Sequence, residues 1–210
     1  SISQCRHLTV ASGKNGGASA AEWNLESMAS ENPDEWSLGT LDASDIRGDR
    51  LLSDLFSKHI DSGGHGTVVL WRLLDQSLTG MGSVADEARF NELLDSSRKH
   101  LETVFHRYLS PHPGHSAIRI DFNGSELLAF NPFGPAVPAR QELAEEEIRL
   151  RDGVVRVQPF ILPHHTKVGT AEYQKYAGEE GYLHNQGFYI YRQRRLIVKA
   201  TWFRLTKKEE

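Results

Sequence analysis

The sequence predicts an α+β fold in two pieces, and three features predict it. Short β-rich runs alternate with Gly- and Asn-containing turns in the first third. One long amphipathic stretch divides the chain. The residues after that stretch are dominated by antiparallel hairpin signals. At 210 residues the chain is long enough for one large core or two small ones.

The elements follow in order. Leu8-Thr9-Val10 reads as a strand within 6–12, Gly13-Lys14-Asn15-Gly16-Gly17 as a tight turn, and residues 21–25, alternating apolar and polar, as the returning strand. Residues 36–41 form a third candidate strand. Leu51, Leu52, Leu55, Phe56 and Ile60 recur at helical spacing, which predicts a helix over 49–60 capped by Asp45 or Asp49. The Gly-rich turn 61–66 leads into Thr67-Val68-Val69-Leu70-Trp71, whose nearly unbroken apolar character predicts a central strand. Gly80-Met81-Gly82-Ser83 marks a soft boundary. Over 86–109, Phe90, Leu93, Leu94, Leu101, Val104, Phe105 and Tyr108 fall on one helical face, and Pro111 and Pro113 stop the helix. Ile118, Ile120 and Phe122 then alternate, Asn123-Gly124 supplies a turn of positive φ, and Leu127-Leu128-Ala129-Phe130 returns. Residues 148–151 and 154–157 form a second hairpin about Asp152-Gly153 by the same chemistry. Residues 170–178 read as a short helix with a Thr cap and a Gly stop. Strands at 187–191 and 196–198 flank Arg192-Gln193-Arg194-Arg195.

A formal charge of −4 gives no prior for nucleic acid or membranes. The single cysteine, Cys5, excludes an intramolecular disulfide and points to a reducing, cytoplasmic compartment. No apolar run approaches the ~20 residues that cross a bilayer, so no membrane partner is expected. The chain opens without Met or a signal peptide and closes directly after an apparent strand, so both ends are expected to be cuts in a longer protein.

Several segments offer chemistry. Gly64 and Gly66 allow close backbone approach to a ligand, and Thr67 at the strand mouth can present its hydroxyl to a base or a bridging water; the alternative is a plain loop before a core strand. Gly13–Gly17 fails as a phosphate loop, because Asn rather than Ser or Thr follows its lysine. His106, His112 and His115 are the tightest group among ten histidines, but they lack an acidic or Cys partner at ligand spacing and read as surface or loop residues. His164 and His165 would point apart on a strand. No Gly-x-Ser-x-Gly elbow occurs, Cys5 has no activating motif, and Glu145-Glu146-Glu147 reads as a solvated run. Arg192, Arg194 and Arg195, flanked by Tyr189 and Tyr191, are candidate contacts to phosphates of DNA or RNA. Against that stands a hairpin tip with solvated arginines guarding a strand edge.

Four segments, in order, resemble the GHKL ATPases (gyrase B, the heat-shock chaperone, histidine kinases, MutL), and most closely their MORC-like branch. Residues 1–12 are similar to the helix and strand after that family's phosphate lid. Gly66-Thr67-Val68-Val69-Leu70-Trp71 resembles its glycine-threonine strand. Residues 118–133, with Asn123-Gly124 and Asn131-Pro132-Phe133, resemble the first hairpin of its transducer domain. Residues 186–197 resemble the signature strand pair of the MORC-like transducer, the most specific of the four.

The resemblance implies a partial Bergerat-type α/β sandwich over 1–82, a linking helix over 83–110, and a transducer domain of ribosomal-protein-S5-like α+β fold over 111–210, incomplete at its C-terminus. It implies ATP and Mg2+ as cofactors of a full-length, homodimeric clamp, with none bound to this chain alone. In the family ATP lies under a mixed sheet; a helix carries a water-activating Glu and a magnesium-holding Asn, an Asp-x-Gly-x-Gly loop reads adenine, and a glycine-rich lid wraps the phosphates. Those parts are expected before Ser1, and the switch lysine after Glu210, so this chain is expected not to hydrolyse ATP alone and to need the missing N-terminal part of the same ATPase. Thr67, with Gly66 and Gly64 beside it, takes the place of the family's threonine near the adenine-reading aspartate. The competing reading is a nucleic-acid- or protein-binding module without ATPase activity.

Overall fold

In the computed structural model the described residues are 5–26, 37–60, 64–74, 84–177 and 181–203, with the side chains of residues 84 and 85 excepted. They form a mixed α+β protein of several small antiparallel sheets and five helices. The chain divides into two compact units, Ser1–Glu87 and Ala88–Glu210.

The first unit is a four-stranded antiparallel sheet with two helices on one face. Its strands are β1 (Cys5–Lys14), β2 (Gly17–Asn24), β3 (Gly39–Leu41) and β4 (Gly66–Leu74), in the order β3-β2-β1-β4. Asn15 and Gly16, at φ of 53° and 79°, make the two-residue β1–β2 turn, as their residue types predict. Helices α1 (Ala43–Gly48) and α2 (Arg50–His59) follow β3. Asp42 and Asp45 close a capping box on α1, a helix the sequence reading missed, and Asp49 caps α2 by accepting from Leu52 N at 3.0 Å. The same Asp49 carboxylate pairs with Arg72 of β4, which ties the start of α2 to the sheet. Ile46, Leu52, Phe56 and Ile60 pack on Ala11, Ala20, Val68 and Leu70 to form the core. A Cβ at Gly13 would lie 2.3 Å from Ile60 Cγ2, so glycine is required where the helix crosses β1. Leu51, placed by spacing on the apolar face of α2, is 50% exposed.

One expectation changes here. Residues 66–74 form a strand at the edge of the described sheet rather than at its centre. Their apolar run is continuous because alternate residues face opposite sides, and only Val68 and Leu70 reach the helix-covered core. Trp36 of the third candidate strand, residues 61–63 of the Gly-rich turn, the boundary at 80–83 and the stop at Gly178 lie outside the described residues.

The second unit is organised on α3 (Val84–Val104). Phe105 breaks the predicted single helix, and a separate turn α4 (His106–Leu109) follows. Leu93, assigned to the apolar face, is 57% exposed. Asn123 and Gly124, at φ of 50° and 76°, turn the short hairpin of β5 (Asp121–Phe122) and β6 (Ser125–Glu126). Arg98 of α3 holds that hairpin by donating to the carbonyls of Phe122 and Glu126 at 3.1 and 3.2 Å. Beyond β6, Leu127 N–H still donates across the hairpin to the Ile120 carbonyl at 2.8 Å, but Leu128 N–H then donates to Glu102 Oε1 and Phe130 N–H to the Glu102 carbonyl. β7 (Gln141–Glu142) pairs with β10 (Phe160–Ile161), and β8 (Glu146–Leu150) pairs with β9 (Gly153–Val157). The β8–β9 hairpin exists as predicted, but Arg151 and Asp152 form its loop, while Gly153 pairs with Leu150 and has no positive φ. Helix α5 (Thr170–Ala177) precedes β11 (Phe188–Arg192) and β12 (Arg195–Thr201). Half-buried aromatic rings pack against one another and against the buried Tyr176. Phe133 stacks on Phe160 at 4.4 Å and meets Tyr189 edge-on at 5.1 Å, and Phe130 stacks on Tyr176 at 5.6 Å.

Candidate functional site

Thr67 is the second residue of β4. Register sets it opposite Ser12 of β1, and the two hydroxyl oxygens are 2.8 Å apart on the sheet face turned away from α1 and α2. Strand alternation places Val69 and Trp71 on that same face, with Leu8 and Val10 from β1 and Ala21 and Trp23 from β2 beside them. Val69, Trp71 and Val10 are 56%, 45% and 37% exposed. Leu8, whose register partners are Trp71 on one side and Trp23 on the other, is buried. The first unit therefore has one helix-covered face and one face on which Val10, Val69 and Trp71 are exposed, with the Ser12–Thr67 hydroxyl pair toward one end. Gly64 and Gly66 do not join Thr67 there. Gly64 donates its N–H to the Ile60 carbonyl at 3.2 Å, closing α2, and a Cβ at Gly66 would lie 3.4 Å from Ile60 Cγ1, on the helix side.

The arginine run lies at the β11–β12 turn. Arg192 and Arg195 are register partners, and Gln193 and Arg194 take the two turn positions with φ of 47° and 70°. Non-glycine residues rarely adopt this conformation, and the surroundings hold it. Tyr108 Oη donates to the Gln193 carbonyl. The Arg194 guanidinium donates to the Arg107 carbonyl and lies 4.9 Å from the Tyr108 ring centroid. Arg194 thus holds the turn, whereas Arg192 and Arg195 are exposed, the latter over Phe105 at 5.6 Å. Glycine is the usual signal for this turn, so the residue types gave no warning of it.

His106 is buried, not on the surface, with Nε2 2.8 Å from Tyr191 Oη. Burial, aided by the Arg107 charge, pushes its pKa down to about 4. Burial likewise pushes the Tyr191 phenol up to about 12. His112 and His115 are exposed and bridge each other through backbone hydrogen bonds of 3.3 and 2.9 Å. His164 and His165 are not on a strand: they lie at a 3-10 turn, and their rings approach to 4.0 Å instead of pointing apart. Among the described residues no three His, Cys, Asp or Glu side chains gather as a metal site. The Glu-x-x-x-Asn spacing of the family's magnesium helix does occur, at Glu87 and Asn91 of α3, where both residues are exposed.

No family model matches the chain, and neither a curated protein nor a solved structure matches it. Among the described residues no helix is long and apolar enough to cross a membrane.

Proposed function

We propose that the chain supplies the later part of a GHKL-type ATP-driven clamp: the far strands of a Bergerat-type nucleotide-binding domain in the first unit, and the S5-like transducer in the second. The observation that carries this reading is the one-sided sheet. A sheet covered on one face by α1 and α2 presents Val10, Val69 and Trp71 exposed on the other, and exposed apolar patches of this kind mark surfaces built to be covered. The layer that covers it is the missing N-terminal part of the same ATPase, with its Glu, Asn and Asp-x-Gly-x-Gly elements. The resemblance put Thr67 beside the adenine-reading aspartate, and Thr67 is the one member of its trio that faces this surface.

The open face fits a base better than a triphosphate. A hydroxyl pair against an apolar wall can orient a ring, whereas Mg2+ needs a set of oxygen ligands and the phosphates need several donors together. No hydrolytic step is therefore assigned to this chain alone. The whole protein would be a homodimer whose closure follows ATP and Mg2+ binding, with the transducer relaying the change.

The test uses a longer reading frame carrying the upstream elements. Binding of a fluorescent ATP analogue should appear in the longer protein, fall about tenfold with Thr67→Val, and disappear with Trp71→Glu, which puts a charge between the layers. Metal-dependent ATP hydrolysis by residues 1–210 alone, or unchanged analogue binding by the longer Trp71→Glu protein, refutes the proposal. The competing module reading draws on the exposed Arg192 and Arg195. DNA binding by this chain at moderate salt, with no analogue bound by the longer protein, would favour it.

A further inference from the structure

Independently of the ATPase reading, we propose that the second unit carries a binding site for a phosphate monoester on a small organic body, in the groove between α3–α4 and the tip of the β11–β12 hairpin. The groove has a volume of about 490 Å3, within the range of small-molecule clefts. His100, Val104 and Tyr108 line one side, and Arg192, Arg195 and Leu196 the other. Among the described residues no carboxylate lines it.

Its charge arrangement calls for an anion. Arg192 and Arg195 are directly opposed across the ladder, and like charges so placed destabilise a hairpin. Neither forms an ion pair among the described residues, unlike Arg98, Arg140 and Arg156 of the same unit. The hairpin tip from which they extend is held by Tyr108 on the Gln193 carbonyl and by Arg194 on the Arg107 carbonyl, and the Arg195 guanidinium lies 5.6 Å from the Phe105 ring centroid. Two guanidinium forks from adjacent strands match a tetrahedral dianion, which offers oxygens in more than one direction, better than a planar carboxylate. A monoester phosphate carries close to two charges at neutral pH. The buried Val104 and Leu196 and the ring of Tyr108 give an apolar floor for the body that bears the phosphate. The volume suits one such group rather than a stretch of duplex.

Phenyl phosphate serves as the probe, titrated into the full chain and followed by amide NMR and calorimetry. Phenol, inorganic phosphate and a single-stranded oligonucleotide without a terminal phosphate are run beside it. Phenyl phosphate is expected to shift the amides of His100, Tyr108 and Gln193 and to bind at least tenfold more tightly than phenol or inorganic phosphate. Arg192→Gln and Arg195→Gln should each weaken it at least tenfold, and Arg192→Lys by less. Arg192 is exposed, so Arg192→Gln should keep the amide spectrum of the parent away from the hairpin tip. Three results overturn the proposal: phenol or inorganic phosphate binding as tightly as phenyl phosphate; Arg192→Gln, with its spectrum intact, binding like the parent; or the oligonucleotide binding more tightly than phenyl phosphate with the same arginine dependence, which would assign the groove to nucleic acid.

Discussion

Acidification from pH 7 to pH 4 puts a defined load on the second unit through His106. The imidazole is 3% exposed, and burial holds its pKa at about 4 against an ordinary 6.5. Between those values the unfolded chain takes up a proton that the folded protein refuses, so stability falls as pH falls. At 1.36 kcal/mol per pH unit, the loss over the window comes to about 3 kcal/mol. That is a large share of the ~5–15 kcal/mol by which a domain is stable. Asp42 and Asp49, whose pKa values lie below the ordinary one, belong to the first unit; Asp49 is held down by the Leu52 N–H and Arg72, and the contribution of both is lost as pH falls below about 4. The two acid transitions are therefore separable in pH and in place. Urea unfolding read by hydrogen exchange over 188–201 should show the loss between pH 6.5 and 4, and His106→Leu should be less stable at pH 7 but without that slope. A native His106 ring titrating near 6.5 by NMR, or an unchanged slope in His106→Leu, would refute the reasoning.

Three other perturbations test the packing. Phe56→Ala, in the covered core, should cost about 3–5 kcal/mol by urea denaturation, whereas Val69→Ala on the open face should cost under about 1 kcal/mol in this chain. Gly13→Ala should destabilise by about 1–3 kcal/mol, because Ile60 must move to admit the methyl group; a thermal midpoint equal to the parent's would show that α2 is not seated on β1 as described. Gln193→Gly relieves a left-handed residue and should raise stability by about 0.5–1 kcal/mol, whereas Arg194→Gly, which also removes the contacts to Arg107 and Tyr108, should not.

Local backbone demands were legible wherever one residue type answers them. Asn15-Gly16 and Asn123-Gly124 turn their hairpins as their chemistry requires, and Asp49 caps α2. The β11–β12 turn was legible as a hairpin but not in its conformation, since Gln193 and Arg194 are held there by Tyr108 and Arg107, more than eighty residues away in sequence. The candidate site was half legible. Thr67 could be singled out beside its glycines, but the separation of Thr67 from Gly64 and Gly66 onto opposite sides of the sheet depends on where α2 lies.

By itself, then, the sequence determined the α+β character, the hairpins and their tight turns, and the two main helical stretches, because periodicity and turn chemistry act between neighbours along the chain. Only the tertiary structure decided that 66–74 lies at the edge of the described sheet, that Val68 and Leu70 are covered by helices while Val69 and Trp71 are exposed, and that His106 is buried against Tyr191. Those outcomes depend on which distant surfaces meet. An apolar residue or a histidine looks the same in sequence whether it faces a helix, a ring or water.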